Sequence, residues 1–379
     1  MDDCRPAVWR QLLRRDGATL SEADVAAAVP HAGAVAELRK ARAAPPDAAQ
    51  LAVTAECVQR LREAADGGDR DLDKGALAGV AIRTVCTDAS KFAAWSKDGK
   101  PRGGAEWLLP SAGAAGAGAE GARVLFLHGG AYQYYSPSEV YRPLSTRLAA
   151  ACGLPVLSID YRLAPEHAFP GAMEDAVAAL RWIWENGPDG PAPARRVLVC
   201  GDSAGGGLAL GAIMAALAAD GSARLPSAVA TFSAYTDLTM SLPTYTSRAW
   251  DADTQAGDLI FSDGDPAAEI VACQQDAAKY YGGADPSDPR ISPVFAPAAA
   301  LAALPPLLMV VGDAEVMLAD TVEFAARAVE AGAVHVAVRI WPKMWHVFPM
   351  YAEACGQGHE LQAAHDAMGE VGRFLRDHA

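Results

Sequence analysis

The segment Gly201-Asp202-Ser203-Ala204-Gly205 places a serine between small residues at the junction of two structural patterns. It directly follows the apolar run RVLVC, which is typical of a buried strand, and it precedes the helix pattern GGLALGAIMAALAA. A turn this sharp strains its central residue and raises the serine hydroxyl at the amino end of the helix, where the helix dipole favours a developing alkoxide. The pattern predicts that Ser203 is a nucleophile, with an ordinary tight turn as the alternative.

A second glycine-rich segment, at residues 128–131, follows the strand pattern VLFL. Attack by a serine on a carbonyl carbon produces an oxyanion, which aimed backbone N–H groups can stabilise. Ala131 keeps its N–H while its methyl group narrows the neighbouring pocket, and His128 is expected to hold the loop rather than to act as an acid or base. A plain strand-to-loop turn is the alternative interpretation. The predicted oxyanion donors are the backbone amides of Gly129, Gly130, Ala131 and Ala204.

A serine nucleophile needs a base, and several histidines follow Ser203 in the chain. His346, in KMWHVFPM, comes just after the strand pattern that ends at Trp341 and Pro342. A loop at the carboxyl end of a strand can present this imidazole to the serine, so His346 is the predicted general base. Packing or solvent exposure accounts for the remaining downstream histidines, which are His335, His359, His365 and His378.

The base must in turn be oriented by a carboxylate. Three acidic residues follow the strand pattern LLMVV closely enough to take this role, namely Asp313, Glu315 and Asp320. Asp313 is closest to the strand and could simply close the turn, while Asp320 looks like the N-terminal cap of a helix over residues 321–330. Position alone leaves the choice among them open.

Short apolar runs alternate with helical patterns around these segments. Met173, Val177, Leu180 and Trp184 fall on one face of a helix, and the C-terminal residues 361–375 repeat this arrangement. Alternation of this kind predicts an α/β fold with a mostly parallel sheet covered by helices on both faces. The predicted strands lie at residues 79–87, 105–110, 124–127, 156–159, 197–200, 228–234, 307–311 and 335–341.

Two parts of the chain depart from the alternation. Residues 1–75 show Ala-rich helical patterns broken by Pro and Gly. The interval 235–305 is longer than the other connections between predicted strands and is rich in Pro, Asp and Gly, with a helical pattern around 266–281. We predict an N-terminal helical cap segment over 1–75 and a catalytic domain over 76–379. A cap insertion at about 235–290 is expected to lie over the carboxyl ends of the strands.

The formal charge of −14 and the absence of a basic stripe argue against nucleic acid as a partner. The seven cysteines are dispersed without a CxxC pair, so neither a metal cluster nor a redox dithiol is indicated, and no cofactor is expected. The N-terminus is acidic and lacks the apolar core of a signal peptide, and no apolar run approaches the ~20 residues of a membrane span. A cytoplasmic protein is the expectation.

These motifs together resemble the hormone-sensitive-lipase-like family of α/β-hydrolase carboxylesterases. The resemblance covers about residues 120–350 and is carried by segments in the family's order and spacing. They are HGGAY (128–132), DYRLAPEHAFPGAMED (160–175), GDSAGGGLAL (201–210), GDAEVMLAD (312–320) and MWHVFP (344–349).

The resemblance implies an eight-stranded sheet, a helical cap and metal-free hydrolysis of small or short-chain acyl esters, with a homodimer as a candidate assembly. Family members place an acid where Glu315 stands, and the segment EVML matches one form of that motif, which favours Glu315 over Asp313 as the triad acid. The resemblance also implies that Tyr161 and Glu166 brace the oxyanion loop.

The function expected from residues and resemblance is therefore that of a serine carboxylesterase with a small-molecule ester substrate and an acyl-enzyme intermediate. An amidase, deacetylase or lactonase would run the same chemistry on a different bond, and the triad does not discriminate among them. A non-catalytic member of the fold that binds a small ligand, and a lipase working at an oil interface, are further alternatives.

Overall fold

The computed structural model describes most of the chain from residue 104 onward and three short backbone segments before it. The described residues are 13–15, 18–19, 80–85, 104–110, 120–137, 140–218, 224–247, 258, 266–342, 344–352 and 361–379.

The strands in the described part of the chain are β1 Leu13–Arg15, β2 Ala18–Thr19, β3 Val80–Val85, β4 Ala105–Pro110, β5 Ala122–Leu127, β6 Val156–Ile159, β7 Asn186–Gly187, β8 Gly190–Pro191, β9 Arg196–Asp202, β10 Ala228–Phe232, β11 Leu307–Gly312 and β12 Val336–Trp341. Ten of these strands form one sheet at the centre of the fold, in the order β2-β1-β12-β11-β10-β9-β5-β6-β4-β3. Within this sheet the neighbours β1, β12, β11, β10, β9, β5 and β6 run parallel, whereas β2 at one edge and β4 and β3 at the other pair antiparallel. The strands β7 and β8 form a separate hairpin.

Helices cover the sheet on both sides, as the alternation in the sequence predicts. They are α1 Arg142–Cys152, α2 Gly171–Glu185, α3 Ser203–Ala218, α4 Thr244–Ser247, α5 Pro266–Tyr281, α6 Ala298–Ala302, α7 Leu318–Ala331 and α8 Gln362–Asp377, with 3₁₀ turns at Pro293–Phe295 and Phe348–Tyr351. None of the helices in the described part of the chain has the length and apolar character needed to cross a bilayer.

Two hydrophobic cores lie on the two faces of the sheet, and the central strand β5 shows how one strand serves both. Leu125 and Leu127 belong to the core that α2, α3 and α7 cover, whereas Val124 and Phe126 belong to the core under α1 and α8. Successive side chains of a strand point to opposite faces, so a strand buried on both sides must be apolar throughout. This requirement explains why the central strands were recognisable as continuous apolar runs.

The eight predicted strands are all present, and the mostly parallel α/β sheet is confirmed. The sheet exceeds the predicted eight strands by two, because residues 13–15 pair in parallel with Val338–Ile340 of β12 and residues 18–19 pair with β1. These short segments are strands, not the helices predicted there. The edge of β12 offers unpaired backbone groups that an extended segment can satisfy. The rest of the proposed N-terminal cap, residues 1–75, lies outside the described residues.

Part of the predicted cap insertion lies against the loop that follows β5. Tyr280 of α5 stacks on Tyr132 with ring centroids 3.8 Å apart, and Gln133 Nε2 donates a hydrogen bond to the Asp276 carbonyl at 3.0 Å. The helix α5 therefore packs beside the glycine-rich segment at the carboxyl end of the sheet. The division into a cap and a catalytic domain stays a prediction.

Candidate active site

Ser203 lies at the sharp turn between β9 and α3, with a left-handed backbone (φ 49°). The flanking glycines are required by close backbone approaches. A Cβ on Gly205 would lie 2.0 Å from the Leu127 carbonyl oxygen, and one on Gly201 would lie 2.4 Å from the Gly205 carbonyl oxygen. Only glycine fits at these two positions, and this tight packing holds the serine in its strained conformation.

Three side chains that are far apart in sequence meet at the carboxyl end of the sheet. Ser203 Oγ lies 2.9 Å from His346 Nε2, and His346 Nδ1 lies 2.8 Å from Glu315 Oε2. A carboxylate only accepts hydrogen bonds, so this arrangement places the imidazole proton on Nδ1 and leaves Nε2 to accept the serine proton. Ser203 is 8% exposed, His346 6% and Glu315 0%, so the serine and histidine keep a small solvent-facing surface while the acid is buried.

The other two candidate acids lie in different surroundings. Asp320 falls inside α7, which begins at Leu318, so it does not cap that helix as the sequence suggested. Its Oδ1 accepts hydrogen bonds from the amides of Thr236 and Asp237 at 2.8 and 2.9 Å. Asp313 is 7% exposed and its backbone amide donates to Trp341, but the position at His346 Nδ1 is occupied by Glu315.

Burial disfavours the charged forms of both His346 and Glu315. It lowers the pKa of His346 to about 4, against a smaller opposing effect of Asp258, so the imidazole is neutral at neutral pH. Burial raises the pKa of Glu315, while hydrogen bonds from the Gly312 amide and the Ser233 hydroxyl favour its carboxylate form. A neutral imidazole with a free Nε2 lone pair is the state in which a histidine can act as a base.

The glycine-rich loop after β5 lies beside Ser203. Gly130 (φ 106°), Ala131 (φ 51°) and Tyr132 (φ 62°) all have left-handed backbone conformations, which turn the loop sharply back over the end of the strand. A Cβ on Gly129 would lie 3.0 Å from Ser203 Cβ, which shows how closely the loop approaches the serine.

The amide of Gly129 is engaged elsewhere, which corrects its prediction as an oxyanion donor. Its N–H donates to Asp202 Oδ1 at 3.0 Å, and the Tyr141 hydroxyl donates to Asp202 Oδ2 at 2.9 Å. Asp202 is fully buried, and burial raises its pKa to about 7. The residue before Ser203 therefore anchors the loop, and neither Asp202 nor Tyr141 was identified in this role from the sequence.

The predicted bracing by Tyr161 is confirmed. Its hydroxyl donates to the His128 carbonyl oxygen at 2.6 Å, and its ring stacks on the imidazole of His128 with centroids 4.3 Å apart. Burial lowers the pKa of His128 to about 4, and its Nδ1 donates to the Gly129 carbonyl, in keeping with a residue that holds the loop. Glu166, predicted to share this bracing role, is exposed.

Comparison with known proteins agrees with this geometry. A family model described as alpha/beta hydrolase fold matches residues 124–350. An acetyl-hydrolase of Streptomyces hygroscopicus is 36% identical over 272 residues, which cover 72% of this chain and 79% of that protein. Carboxylesterase NlhH of Mycobacterium tuberculosis is 34% identical over 248 residues, which cover 62% of this chain and 71% of that protein. A solved hormone-sensitive lipase from a metagenome library superposes with a TM-score of 0.63 at 29% identity, covering 86% of this chain and 98% of that one. This chain belongs to the hormone-sensitive-lipase-like family of α/β-hydrolases.

In this α/β-hydrolase, two buried polar residues outside the sequence motifs contact the site. Ser233, just after β10, donates to Glu315 Oε1 at 2.9 Å. Asp258, from the predicted insertion, accepts hydrogen bonds from the Val316 amide at 3.1 Å and the His346 amide at 3.4 Å. The sequence did not predict either Ser233 or Asp258, because a lone serine or aspartate in a loop has no local pattern that indicates which residue it contacts in the folded protein.

Among the residues described, one group of this hydrolase has the spacing of metal ligands. Candidate ligand atoms of Asp258, Glu315 and His346 all lie within 4.8 Å of one another. These side chains already form hydrogen bonds with one another and with the backbone, since His346 donates to Glu315 and Asp258 accepts from two amides. A cation there would have to displace the hydrogen bond that orients the imidazole.

Proposed function

We propose that this protein is a carboxylic ester hydrolase that cleaves small or short-chain acyl esters, with Ser203, His346 and Glu315 as its catalytic triad. The observation that carries the proposal is the continuous line of hydrogen bonds from Ser203 Oγ through His346 to Glu315, with separations of 2.9 and 2.8 Å. A serine hydroxyl is a weak nucleophile unless a base within hydrogen-bond reach accepts its proton. This line supplies both the base and the group that orients it.

In the first half of the reaction, His346 Nε2 removes the proton of Ser203 as Oγ attacks the ester carbonyl carbon. The tetrahedral intermediate places a negative charge on the former carbonyl oxygen. We assign its stabilisation to the amides of Gly130, Ala131 and Ala204, leaving out Gly129, whose N–H already serves Asp202. When the intermediate collapses, the protonated imidazole gives its proton to the leaving alcohol, and an acyl-serine remains.

In the second half, water takes the place of the alcohol. His346 removes a proton from the water as it attacks the acyl carbon, and the same amides hold the second oxyanion. Collapse breaks the bond to Ser203 Oγ, which recovers its proton from the imidazole, and the carboxylic acid leaves. Glu315 stabilises the positive charge that the imidazole carries transiently in each half.

Two features support a small acyl group. The relatives named above are an acetyl-hydrolase and a carboxylesterase, and both names fit hydrolysis of simple esters. Ala131 stands in the glycine-rich loop directly before the buried Tyr132, where it adds a methyl group that glycine would lack. A side chain at this position reduces the space around the scissile carbonyl.

Replacement of the nucleophile tests the mechanism. We expect Ser203→Ala to lower kcat for p-nitrophenyl acetate by roughly 10⁴-fold or more, because the covalent intermediate can no longer form. Ser158→Ala is the matched control, since it removes the same atom from a buried serine on β6 whose hydroxyl has no hydrogen-bond partner among the described residues. Near-normal turnover by Ser203→Ala, with circular dichroism unchanged, would exclude this serine as the nucleophile.

A chain-length series tests the substrate class. With p-nitrophenyl esters from acetate to palmitate, we expect kcat/KM to be highest for acyl groups of about two to six carbons, because a narrowed pocket excludes longer chains. A matching p-nitroanilide measures amidase activity in the same assay. A maximum at long chains, or faster cleavage of the anilide, would contradict the proposed substrate.

We also propose a cytoplasmic location and, from the family resemblance alone, a homodimeric assembly. The described cysteines Cys152 and Cys200 are buried free thiols, as is common in reducing compartments. Size-exclusion chromatography with light scattering tests the assembly, and fractionation of the producing cells tests the location.

A further inference from the structure

Ser233 occupies a buried position directly after β10, with an exposed fraction of 1%. Its backbone is left-handed (φ 49°), an uncommon conformation for a residue other than glycine, and its amide donates to the Val310 carbonyl of the neighbouring strand β11 at 2.7 Å. A residue in this conformation is held there by its surroundings.

The hydroxyl of Ser233 connects the loops that carry the acid and the base. Its Oγ accepts a hydrogen bond from the Val347 amide at 2.9 Å, and it lies 2.9 Å from Glu315 Oε1. Because the carboxylate only accepts, the serine proton must point to Glu315. Val347 immediately follows His346, so the contacts close a ring from His346 to Glu315, Ser233 and Val347.

Val347 shares the left-handed conformation of Ser233, with φ 49°. Such a conformation is more costly for a β-branched residue than for most others. It turns the Val347 amide to the Ser233 hydroxyl while the preceding residue directs its imidazole to Ser203 and Glu315. Two strained residues joined by one hydrogen bond beside the triad indicate a functional constraint rather than a chance contact.

We propose that Ser233 is a positioning residue of this acyl-transfer site, whose hydroxyl fixes the Glu315 carboxylate and the His346 loop in the relative orientation that catalysis needs. The proposal rests on the proposed function. Glu315 Oε1 receives two donors, the Ser233 hydroxyl and the Gly312 amide at 2.6 Å, which leaves Oε2 facing His346 Nδ1. Without the hydroxyl, the carboxylate can rotate about its last torsion and the His346 loop loses its connection to it.

The pH profile reports this role separately from folding. The titratable groups beside Glu315 are His346, which it contacts, and Asp258, whose carboxylate lies within the same 4.8 Å group. The Ser233 hydrogen bond lowers the pKa of Glu315 against the effect of burial. Its loss should raise the pKa of Glu315 and shift the acid limb of kcat/KM to higher pH.

The experiment compares Ser233→Ala with wild type and with Ser158→Ala, which makes the same chemical change at a buried hydroxyl that has no hydrogen-bond partner in the described part of the chain. We expect Ser233→Ala to lower kcat at least about tenfold with KM changed less than about twofold, as the loss of one hydrogen bond to a charged group predicts. The acid limb should move to higher pH, whereas Ser158→Ala should match wild type. Active sites are counted by titration with phenylmethylsulfonyl fluoride, so that kcat refers to competent protein.

A double-mutant cycle with Glu315→Ala decides whether Ser233 acts through the acid. In the Glu315→Ala background, Ser233→Ala should cost less than about twofold, because the group it positions is gone. An equal cost in both backgrounds, or a Ser233→Ala enzyme with wild-type kcat and pH profile, would overturn the proposal. If Ser233→Ala does not fold, Ser233→Cys, a weaker donor of similar shape, takes its place in the cycle with the same criteria. Failure of the proposed function looks different, since wild type would then lack Ser203-dependent esterase activity.

Discussion

At the scale of single residues, the environment of Glu315 explains how one carboxylate among three neighbouring acids can be selected. It receives hydrogen bonds from His346 Nδ1, the Ser233 hydroxyl and the Gly312 amide, and it is fully buried. A buried carboxylate is stable only when its oxygens are satisfied by donors of this kind. Asp313 is two residues away in sequence, but the position at His346 Nδ1 is taken by Glu315.

Replacement of the two acids tests this difference. We expect Glu315→Ala to lower kcat by about 10³-fold, less than Ser203→Ala, because Ser203 and His346 can still transfer the proton without the acid. Asp313→Ala should stay within a few-fold of wild type. Steady-state kinetics with p-nitrophenyl acetate measure both variants. The assignment would be reversed if Asp313→Ala were the crippled enzyme and Glu315→Ala kept its activity.

At the scale of elements, the central strands and the positions of the loops that carry Ser203, Glu315 and His346 were predictable, whereas the contacts between loops were not. Strands buried on both faces appear in the sequence as apolar runs, and the functional residues of parallel sheets lie in loops at the carboxyl ends of the strands. The pairing of residues 13–15 with β12 was missed because a short edge segment has no such run, although the Asp16-Gly17 dipeptide between β1 and β2 is typical of hairpins. Ser233 and Asp258 were missed because their partners are set by the folded sheet.

The predicted insertion is joined through Asp258 to the loops that carry Glu315 and His346. This buried carboxylate accepts from the amide after Glu315 and from the amide of His346 itself. We expect Asp258→Ala to lower kcat about tenfold, because two loop amides lose an acceptor and both loops gain freedom. Asp288→Ala is the control within the same region, since that carboxylate pairs with the exposed Arg290. Equal activity of the two variants would show that the insertion contact does not organise the site.

At the scale of the whole molecule, buried ionisable groups link the stability of the fold to pH. Burial raises the pKa of Asp202 to about 7, whereas an aspartate in an unfolded chain has a pKa of about 3.9. Between these values the folded protein holds a proton that the unfolded chain has lost. The contribution of Asp202 to the free energy of unfolding therefore decreases as pH rises from about 4 to about 7 and is constant above that range.

Asp202→Asn isolates this contribution because asparagine has no proton to lose, while its amide oxygen can still accept from Gly129. Relative to wild type, the variant should gain stability progressively as pH rises from about 4 to about 7, with no further gain at higher pH. Urea unfolding followed by tryptophan fluorescence at several pH values gives the difference directly. The lowered pKa values of His128 and His346 make the free energy of unfolding increase with pH. This effect is common to both proteins and cancels in the comparison. Parallel stability curves for the two proteins would mean that Asp202 is ionised in the folded state throughout, and that Tyr141 and Gly129 compensate its burial completely.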